Sequence, residues 1–520
     1  MCGFVGFVGG TDNQSEVLTK MMDRIVHRGP DMGGQFIDGR VALGFRRLSI
    51  LDLTEAGAQP MANEDGSVVI VFNGEIYNFQ ELRSELEAKG YKFHCGADTE
   101  SLLHGYEEWG EAVLDRLRGM YAFVIWDKKK NKLFGARDIF GIKPLYYYPM
   151  ADAGDGAPGV LFGSEIKSFL DYPHFHKAVN KKALRPYMTL QYSATEETFF
   201  EGVYKLPPAH YFTVDIPTGK MNIERYWDCD YSAVEKPFEE YVDELDEVVH
   251  ESVEAHRIAD VKVASFLSGG VDSSYIAACL MPDKTFSVGF DYKNFNETNY
   301  AKELSDKLGV ENVRKMITAD EFFGALEDIQ YHMDEPQSNL SSVPLWFLAE
   351  MARKDVTVVL SGEGADELFG GYAYYEDTVE PAVMERYAIF KADKGYYRKM
   401  FPRLSQRCEI VSTDVQDTIE STMPVLMKTF FGSTDVVTVQ GADGTDADDK
   451  RAEAMQELIN YELQQNKFFM TFYRWAKDAL ITNLGIIKVD WDREYKDVEK
   501  TVTMDAEAYA TYRPQARRCV

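Results

Sequence analysis

An α+β sandwich followed by an α/β doubly wound parallel sheet is the fold this sequence predicts, and three observations predict it. Over roughly the first 215 residues, short apolar runs and glycine turns crowd together with few helical patterns, the texture of clustered strands. From residue 241 onward, long helical patterns alternate with single apolar strands, the spacing of a parallel sheet with crossover helices. The chain has 520 residues, a length that accommodates about three domains or two large ones.

In the first region Val68–Phe72, Tyr121–Trp126 and Leu145–Tyr148 read as strands, buried or half-buried. Two helices lie among them: 79–90, with its Leu82/Leu86 spacing, and 99–117, with a Leu102/Leu103/Tyr106 face. Ala151 to Gly159 reads as a hairpin loop within the region. The turn Asp215-Ile216-Pro217-Thr218-Gly219 and the polar stretch after Tyr226-Trp227-Asp228 suggest a linker, so the expected division is 2–213, a linker at 214–240, and 241–520. In the second region the expected strands are Val261–Leu267, Thr285–Phe290 and Val356–Leu360. A helix at 241–256 precedes them, and helices at 273–280 and 299–308 lie between. Residues 437–451 read as an exposed acidic loop.

Composition narrows the function. Lys and Arg number 56 against 85 Asp and Glu, a net charge of −29, which argues against a general electrostatic grip on nucleic acid or anionic lipid. Apolar residues at 45% still supply sizeable cores, so the acidity is not that of a disordered tail. The N-terminus has no basic stretch before an apolar core, and no run approaches the roughly 18 apolar residues of a membrane span. The six cysteines are scattered without a CxxC pair, which argues against zinc and against a disulfide framework and points to a reducing cytoplasm.

Cys2 directly follows Met1 and precedes Gly3. Removal of Met1 would leave cysteine with a free α-amine, whose ordinary pKa of about 7.7–8.0 lets it serve as base for its own thiol. Four segments strengthen that reading: His27-Arg28-Gly29-Pro30-Asp31, Arg47-Leu48-Ser49-Ile50-Leu51-Asp52, Asn73-Gly74-Glu75-Ile76-Tyr77-Asn78 and Gly96-Ala97-Asp98-Thr99-Glu100. Each also serves as an ordinary turn or helix cap. Chemically, Arg47 offers a forked donor for a carboxylate, Asn73 and the Gly74 N–H can form an oxyanion hole, and Asp98 can hold an ammonium group.

With Arg118-Gly119-Met120-Tyr121-Ala122-Phe123, Arg137-Asp138, Gly141-Ile142-Lys143-Pro144-Leu145 and Gly163-Ser164-Glu165-Ile166-Lys167, these segments make residues 1–170 resemble the glutaminase domain of class II glutamine amidotransferases. The resemblance implies an N-terminal nucleophile (Ntn) sandwich with Cys2 as nucleophile and Asn73 and Gly74 at the oxyanion. It also implies that Arg47, Leu48, Ser49, Ile50, Leu51, Asn73, Gly74, Glu75 and Asp98 bind glutamine.

Further along, Val263-Ala264-Ser265-Phe266-Leu267 runs into Ser268-Gly269-Gly270-Val271-Asp272-Ser273-Ser274. A strand ending in Ser-Gly-Gly before a helix can cradle a pyrophosphate, or can be simply a tight turn. It lacks the Gly-Lys-Ser/Thr ending of a Walker loop, so γ-phosphoryl transfer is not implied. Asp272 is placed to hold Mg²⁺. A second strand, Val358-Val359-Leu360, enters Ser361-Gly362-Glu363-Gly364-Ala365-Asp366-Glu367, where three carboxylates crowd five residues; a metal or a reaction needing a base explains such crowding.

Both motifs in this order resemble the ATP-pyrophosphatase half of glutamine-hydrolysing asparagine synthetases. The resemblance implies that Leu267, Ser268, Gly269, Gly270, Asp272, Ser273, Val288, Ser361 and Gly362 bind ATP. It places Asp272 and Asp366 on Mg²⁺ and Glu363 at ammonia attack on an acyl adenylate. It further implies glutamine, aspartate and ATP as small-molecule substrates, a sequestered path for ammonia, and a homodimer. The resemblance covers roughly residues 1–375. Beyond about 376 the family's Ser/Thr-Met-Ala and Arg-x-Pro-Phe segments are not found, and Lys488, in Ile486-Ile487-Lys488-Val489-Asp490, is the candidate for the phosphate-contacting lysine. Two alternatives accompany this reading: amide transfer to another carboxylate, or a glutaminase or regulatory protein with a degenerate synthetase half.

Overall fold

The apolar runs of the first region are buried on both faces, and that requires layers on both sides of each sheet. The computed structural model describes residues 1–371 apart from 191–192, 194, 230–233, 235, 291–297 and 337–338. Beyond 371 it describes 419, 422–424, 426–427, 437, 439, 446–465, 472–474 and 476–477. The chain forms two compact units, Met1–Ala365 and Asp366–Val520.

The first unit begins with β1 (Gly3–Val8), β2 (Met32–Asp38), β3 (Val41–Arg47), β4 (Met61–Ala62), β5 (Val68–Ile76) and β6 (Gly119–Asp127). It continues with β7 (Lys132–Arg137), β8 (Tyr146–Met150), β9 (Gly159–Gly163), β10 (Tyr204–Lys205), β11 (His210–Asp215) and β12 (Met221–Arg225). They form two antiparallel sheets, ordered β10-β8-β9-β1-β3-β2 and β12-β11-β7-β6-β5-β4. Residues alternate faces along a strand. Thus Phe4 and Val8 of β1 join Val69 and Val71 of β5 and Val124 of β6 in one core between the sheets.

Their neighbours face outward but stay buried. Val5 and Phe7 meet Leu18, Met21 and Met22 of α1 (Gln14–Asp23). Ile70, Phe72 and Phe123 meet Leu82 of α2 (Phe79–Ala88) and Leu102 and Tyr106 of α3 (Asp98–Trp109). The result is a four-layer helix–sheet–sheet–helix sandwich, in which a fully buried Phe contributes about 1.5–3 kcal/mol. The expected helix at 99–117 stops at Trp109 because Gly110 turns the backbone to φ +61°; a 3₁₀ segment, Gly110–Arg116, follows. The loop after Met150 connects the hairpin β8–β9 as expected. The stretch read as a linker opens instead on sheet structure, since β12 pairs with β11 along the sheet edge.

After α4 (Lys181–Leu190), which precedes β10, α5 (Phe238–His256) leads into β13 (Val263–Phe266), α6 (Val271–Leu280), β14 (Lys284–Phe290), α7 (Thr298–Leu308) and β15 (Glu311–Ile317). Then come α8 (Ala319–Met333), α9 (Ser342–Ala352), β16 (Val358–Leu360) and α10 (Ala365–Phe369). The sheet is parallel, in the order β15-β14-β13-β16. From β13 the chain winds to one side through β14 and β15, then returns to the other with β16. A switch point therefore lies between β13 and β16, and ligands bind at the carboxyl ends of strands at such points. β15, with three charges in seven residues, is an edge strand that the apolar-run criterion misses.

In the second unit Ile419, Met423 and Met427 pack with Phe472 and Ala476, and α11 spans Asp446–Gln465. Residues 446–451 are therefore helical rather than loop. The Ala, Glu, Gln and Leu residues along it favour helix. Lys488 and its segment lie outside the described residues.

Candidate active site

The turn after α1 brings the first site together. Gly29 has no room for a Cβ, which would collide with the backbone of Arg46 and Arg47, so the HRGPD turn lies directly on the end of β3. Asp31 N–H donates to Arg47 O (3.0 Å), and the Asp31 carboxylate accepts from Ser49 N–H (2.8 Å). Arg47 is buried and folds back on its own loop, donating to Thr54 O (2.6 Å), Leu51 O (3.1 Å) and Asp52 O. Its two terminal nitrogens thus shape the 48–54 loop. Asp52 accepts from Gly96 N–H (2.7 Å), which ties that loop to the turn before Asp98.

Cys2 rests on the same loop. Its thiol lies 3.4 Å from both Leu48 N and Leu48 O, and its carbonyl accepts from Arg28 Nε (2.9 Å). Burial raises the thiol's pKa, so it needs a base. Burial also lowers the chain's amino group, on Met1, to about 6, with the nearby cations of Arg28 and Lys143 acting in the same direction. Lys143 Nζ donates to Met1 Sδ (3.0 Å) and is itself brought down to about 8 by burial.

Asn73 and Gly74 sit on β5 beside β6, where a Cβ at position 74 would collide with Met120 O. Asn73 is 1% exposed, and its Nδ2 has no hydrogen-bond partner. Buried polar groups are ordinarily satisfied. Among the described residues, Arg28 Nη2 and Tyr77 OH are likewise buried without partners, and they too lie in the HRGPD and NGEIYN segments. Asp98, at the start of α3, accepts from Ile76 N–H (2.8 Å), and burial raises it to about 6. Burial and the charge of Asp98 raise Glu75 well above the carboxylate range. An incoming ammonium group would supply the missing counter-charge to this acid pair.

The second site forms at the switch point. β13 and β16 pair in register from Val263↔Val358 to Ser265↔Leu360, so the loops at Ser268 and Ser361 leave the same end of the sheet side by side. They touch: a Cβ at Gly362 would come within 2.8 Å of Ser273 N and 2.9 Å of Asp272 Cβ. Gly269 adopts φ +96°, a conformation glycine accepts readily. Ser268 N–H donates to Ser273 Oγ (3.2 Å), Gly270 N–H donates to Ser268 Oγ (3.2 Å), and no side chain caps the start of α6. Leu267 N–H donates to Phe286 O (2.9 Å). Val288 lies two residues further along β14, past the end of its pairing with β13. Glu363 N–H lies 3.4 Å from Ser361 Oγ, and Glu363 is exposed. Asp366 opens the second unit, its carbonyl accepting from Gly371 N–H (2.9 Å).

Three residues of this geometry carried no individual role in the sequence reading, Arg28, Tyr77 and Lys143, and all three stand in recognised motifs. One other acidic group, Glu64, His104 and Glu107, gathers its ligand-type atoms within 4.8 Å, but His104 Nδ1 is already bonded to Glu107 (2.7 Å), an ion-pair arrangement.

Comparison with known proteins finds two families in succession along the chain. The glutamine amidotransferase domain family matches residues 1–227, and the asparagine synthase family matches residues 244–510. Asparagine synthetase [glutamine-hydrolyzing] 1 of Bacillus subtilis is 44% identical over 395 residues, which cover 74% of this chain and 61% of the relative. A Methanocaldococcus jannaschii protein with a provisional form of that name is 34% identical over 400 residues, 72% of this chain and 76% of its own. The amidase chry2 of Gibberella zeae is 33% identical over 413 residues, 72% of this chain and 59% of its own. The chain thus spans about three fifths of the length of the Bacillus relative. The Ntn-type sandwich and the doubly wound parallel sheet are the fold expected, and the chain belongs to the asparagine synthase family, with a glutamine amidotransferase domain at its N-terminus.

Proposed function

We infer that this chain makes asparagine, taking nitrogen from glutamine and energy from ATP. The observation that carries the glutaminase half is the unpartnered, buried Asn73 Nδ2, a donor held ready for a charge that the resting fold does not contain. Removal of Met1 leaves the amine of Cys2 near Arg28 and Lys143, neighbours that favour its neutral form. That amine takes the thiol proton, and the sulfur attacks the side-chain amide of glutamine. Asn73 Nδ2 and the Gly74 N–H receive the oxyanion. Asp98 and Glu75 hold the α-ammonium group, while Arg47 shapes the Leu48–Leu51 wall. Ammonia departs, and water hydrolyses the thioester to glutamate.

At the switch point, Leu267 to Gly270, Ser273, Val288, Ser361 and Gly362 hold ATP. The aspartate side-chain carboxylate attacks the α-phosphorus, and pyrophosphate leaves. Ammonia, assisted by Glu363, displaces AMP from the mixed anhydride. Asp272 and Asp366 each offer carboxylate oxygen, a donor that suits a hard cation. Mg²⁺ bound by such carboxylates would neutralise charge on the phosphate oxygens. The division of labour between 2–213, 214–240 and 241–520, the homodimer and the cytoplasmic location belong to this same reading; among the described residues no helix is long and apolar enough to cross a membrane. A second reading is amide transfer to a different carboxylate; a relative named amidase, chry2 of Gibberella zeae, is among the similar proteins.

The test is Cys2→Ala. Glutamine-dependent asparagine synthesis is expected to vanish while ammonia-dependent synthesis persists. Loss of both would remove the two-site account.

A further inference from the structure

Four ionic side chains, three buried and Arg28 half-buried, form a chain of alternating charge from the parallel-sheet region to the backbone of Cys2. Arg28, which donates to the Cys2 carbonyl, also donates to Glu165 Oε1 (2.9 Å), and His27 reaches the same oxygen at 3.0 Å. Glu165 Oε2 receives Lys167 Nζ (2.5 Å), and Lys167 Nζ also pairs with Asp334 Oδ1 (2.9 Å). Asp334 Oδ2 accepts from Ile166 N–H (2.6 Å). The side chains of Lys167 and Asp334 are 3% and 5% exposed. Burial alone would raise Glu165, yet His27, Arg28 and Lys167 hold it down to about 2.

Asp334 comes from far along the sequence. A capping box of Thr318 and Glu321 starts α8, and α8 ends where Asp334 takes φ +60°, before Glu335 and Pro336. A non-glycine residue in this conformation is strained and persists only where its surroundings hold it. Here the salt bridge to Lys167 and the bond from Ile166 N–H hold it, while His332 two residues earlier packs against His27 with ring centroids 4.4 Å apart.

We propose that Asp334, supplied by the parallel-sheet region, is a positioning residue for glutamine hydrolysis: by sharing Lys167 it leaves Glu165 to clamp Arg28, and Arg28 fixes Cys2. This rests on the reading of Cys2 as the nucleophile. Without the Asp334 charge, Lys167 has Glu165 as its remaining carboxylate partner and draws it from Arg28. A small displacement of a reacting group is costly in rate. Asp334→Asn keeps an acceptor for Ile166 N–H and turns a donor toward Lys167, so it disturbs chiefly that contact.

The experiment measures glutamate release by the full chain as Asp334→Asn, Asp334→Asn with Lys167→Met, and Glu335→Gln. Glu335 anchors the same loop to Lys205 (2.9 Å) without entering the ionic chain. Asp334→Asn is expected to lower kcat about tenfold with KM nearly unchanged. The double variant, which frees Glu165 from Lys167, is expected to recover most of that loss. Glu335→Gln is expected to match wild type. Wild-type kcat in Asp334→Asn, a double variant slower than the single one, or equal losses in Asp334→Asn and Glu335→Gln would each overturn the proposal. Should the double variant fail to fold, the comparison of the two single variants decides. The rate at which iodoacetamide alkylates Cys2, measured alongside, separates two failures. A wild-type chain without glutaminase activity removes the assigned reaction, whereas an alkylation rate that Asp334→Asn leaves unchanged removes the positioning role.

Discussion

Replacing Asn73 with alanine separates catalysis from stability. The Asn73 side chain is almost wholly buried, and its amide donor has no partner in the resting fold. An unsatisfied buried donor costs about 1–3 kcal/mol, so deleting it relieves that amount. The truncation leaves a small cavity beside Ala122, its neighbour on β6, at a cost of roughly 1–2 kcal/mol. The two nearly cancel, and the melting temperature of Asn73→Ala is expected to stay within about 5 °C of wild type. Catalysis has no such compensation. Losing one oxyanion donor costs about 10²–10³ in kcat, or roughly 2.7–4 kcal/mol, because the bond forms only as charge develops. Steady-state glutamate release gives kcat and KM, and thermal unfolding gives the stability. A kcat within threefold of wild type would refute the oxyanion assignment. A stability loss above about 4 kcal/mol would show instead that Asn73 holds the fold together.

Asp98 is expected to make glutamine binding depend on pH. Its pKa in the fold is about 6, above its ordinary value, so it is ionised above pH 6 and neutral below. The KM for glutamine is therefore expected to rise up to about tenfold per unit as pH falls below 6. A KM flat from pH 7.5 to 5 would contradict its role at the ammonium group. The sign for stability is the opposite of a salt-bridged carboxylate: Asp98 favours the fold most at low pH and loses that contribution between its ordinary value and 6. At the other site, Gly362→Ala forces a methyl group against Ser273 N and Asp272. Pyrophosphate release is expected to fall at least about tenfold while glutamine hydrolysis is unchanged, read by parallel product assays. Full pyrophosphate release would show that the two loops need not meet.

Much of the candidate site was legible because it lies in short segments whose chemistry is local. Cys2, Asn73, Asp98 and the two glycine-rich loops announce themselves by residue type and order; in the fold Cys2 rests on Leu48, Asp98 accepts from Ile76 N–H, and the two loops leave one end of their sheet. What was hidden depends on distant contacts. Arg47 reads as a free forked donor, yet its terminal nitrogens are engaged with carbonyls four to seven residues on. Asp334 has no local signal at all, since its value comes from Lys167, and the two are joined only when α8 ends against the segment that follows β9. β12 looked like linker because its exposed, charged residues follow a proline turn, although its backbone completes a sheet. The start of helix α11 reads as loop because its run of acidic residues breaks the apolar spacing that marks a helix.

The claim on which everything turns is that nitrogen released at Cys2 reaches an acid activated at the switch point. It is tested most directly by incubating the purified chain with glutamine labelled with ¹⁵N at the side-chain amide, aspartate, ATP and Mg²⁺. The account predicts ¹⁵N-asparagine, glutamate and pyrophosphate in equal amounts, with pyrophosphate dependent on aspartate. Glutamate release with no aspartate-dependent pyrophosphate would contradict it.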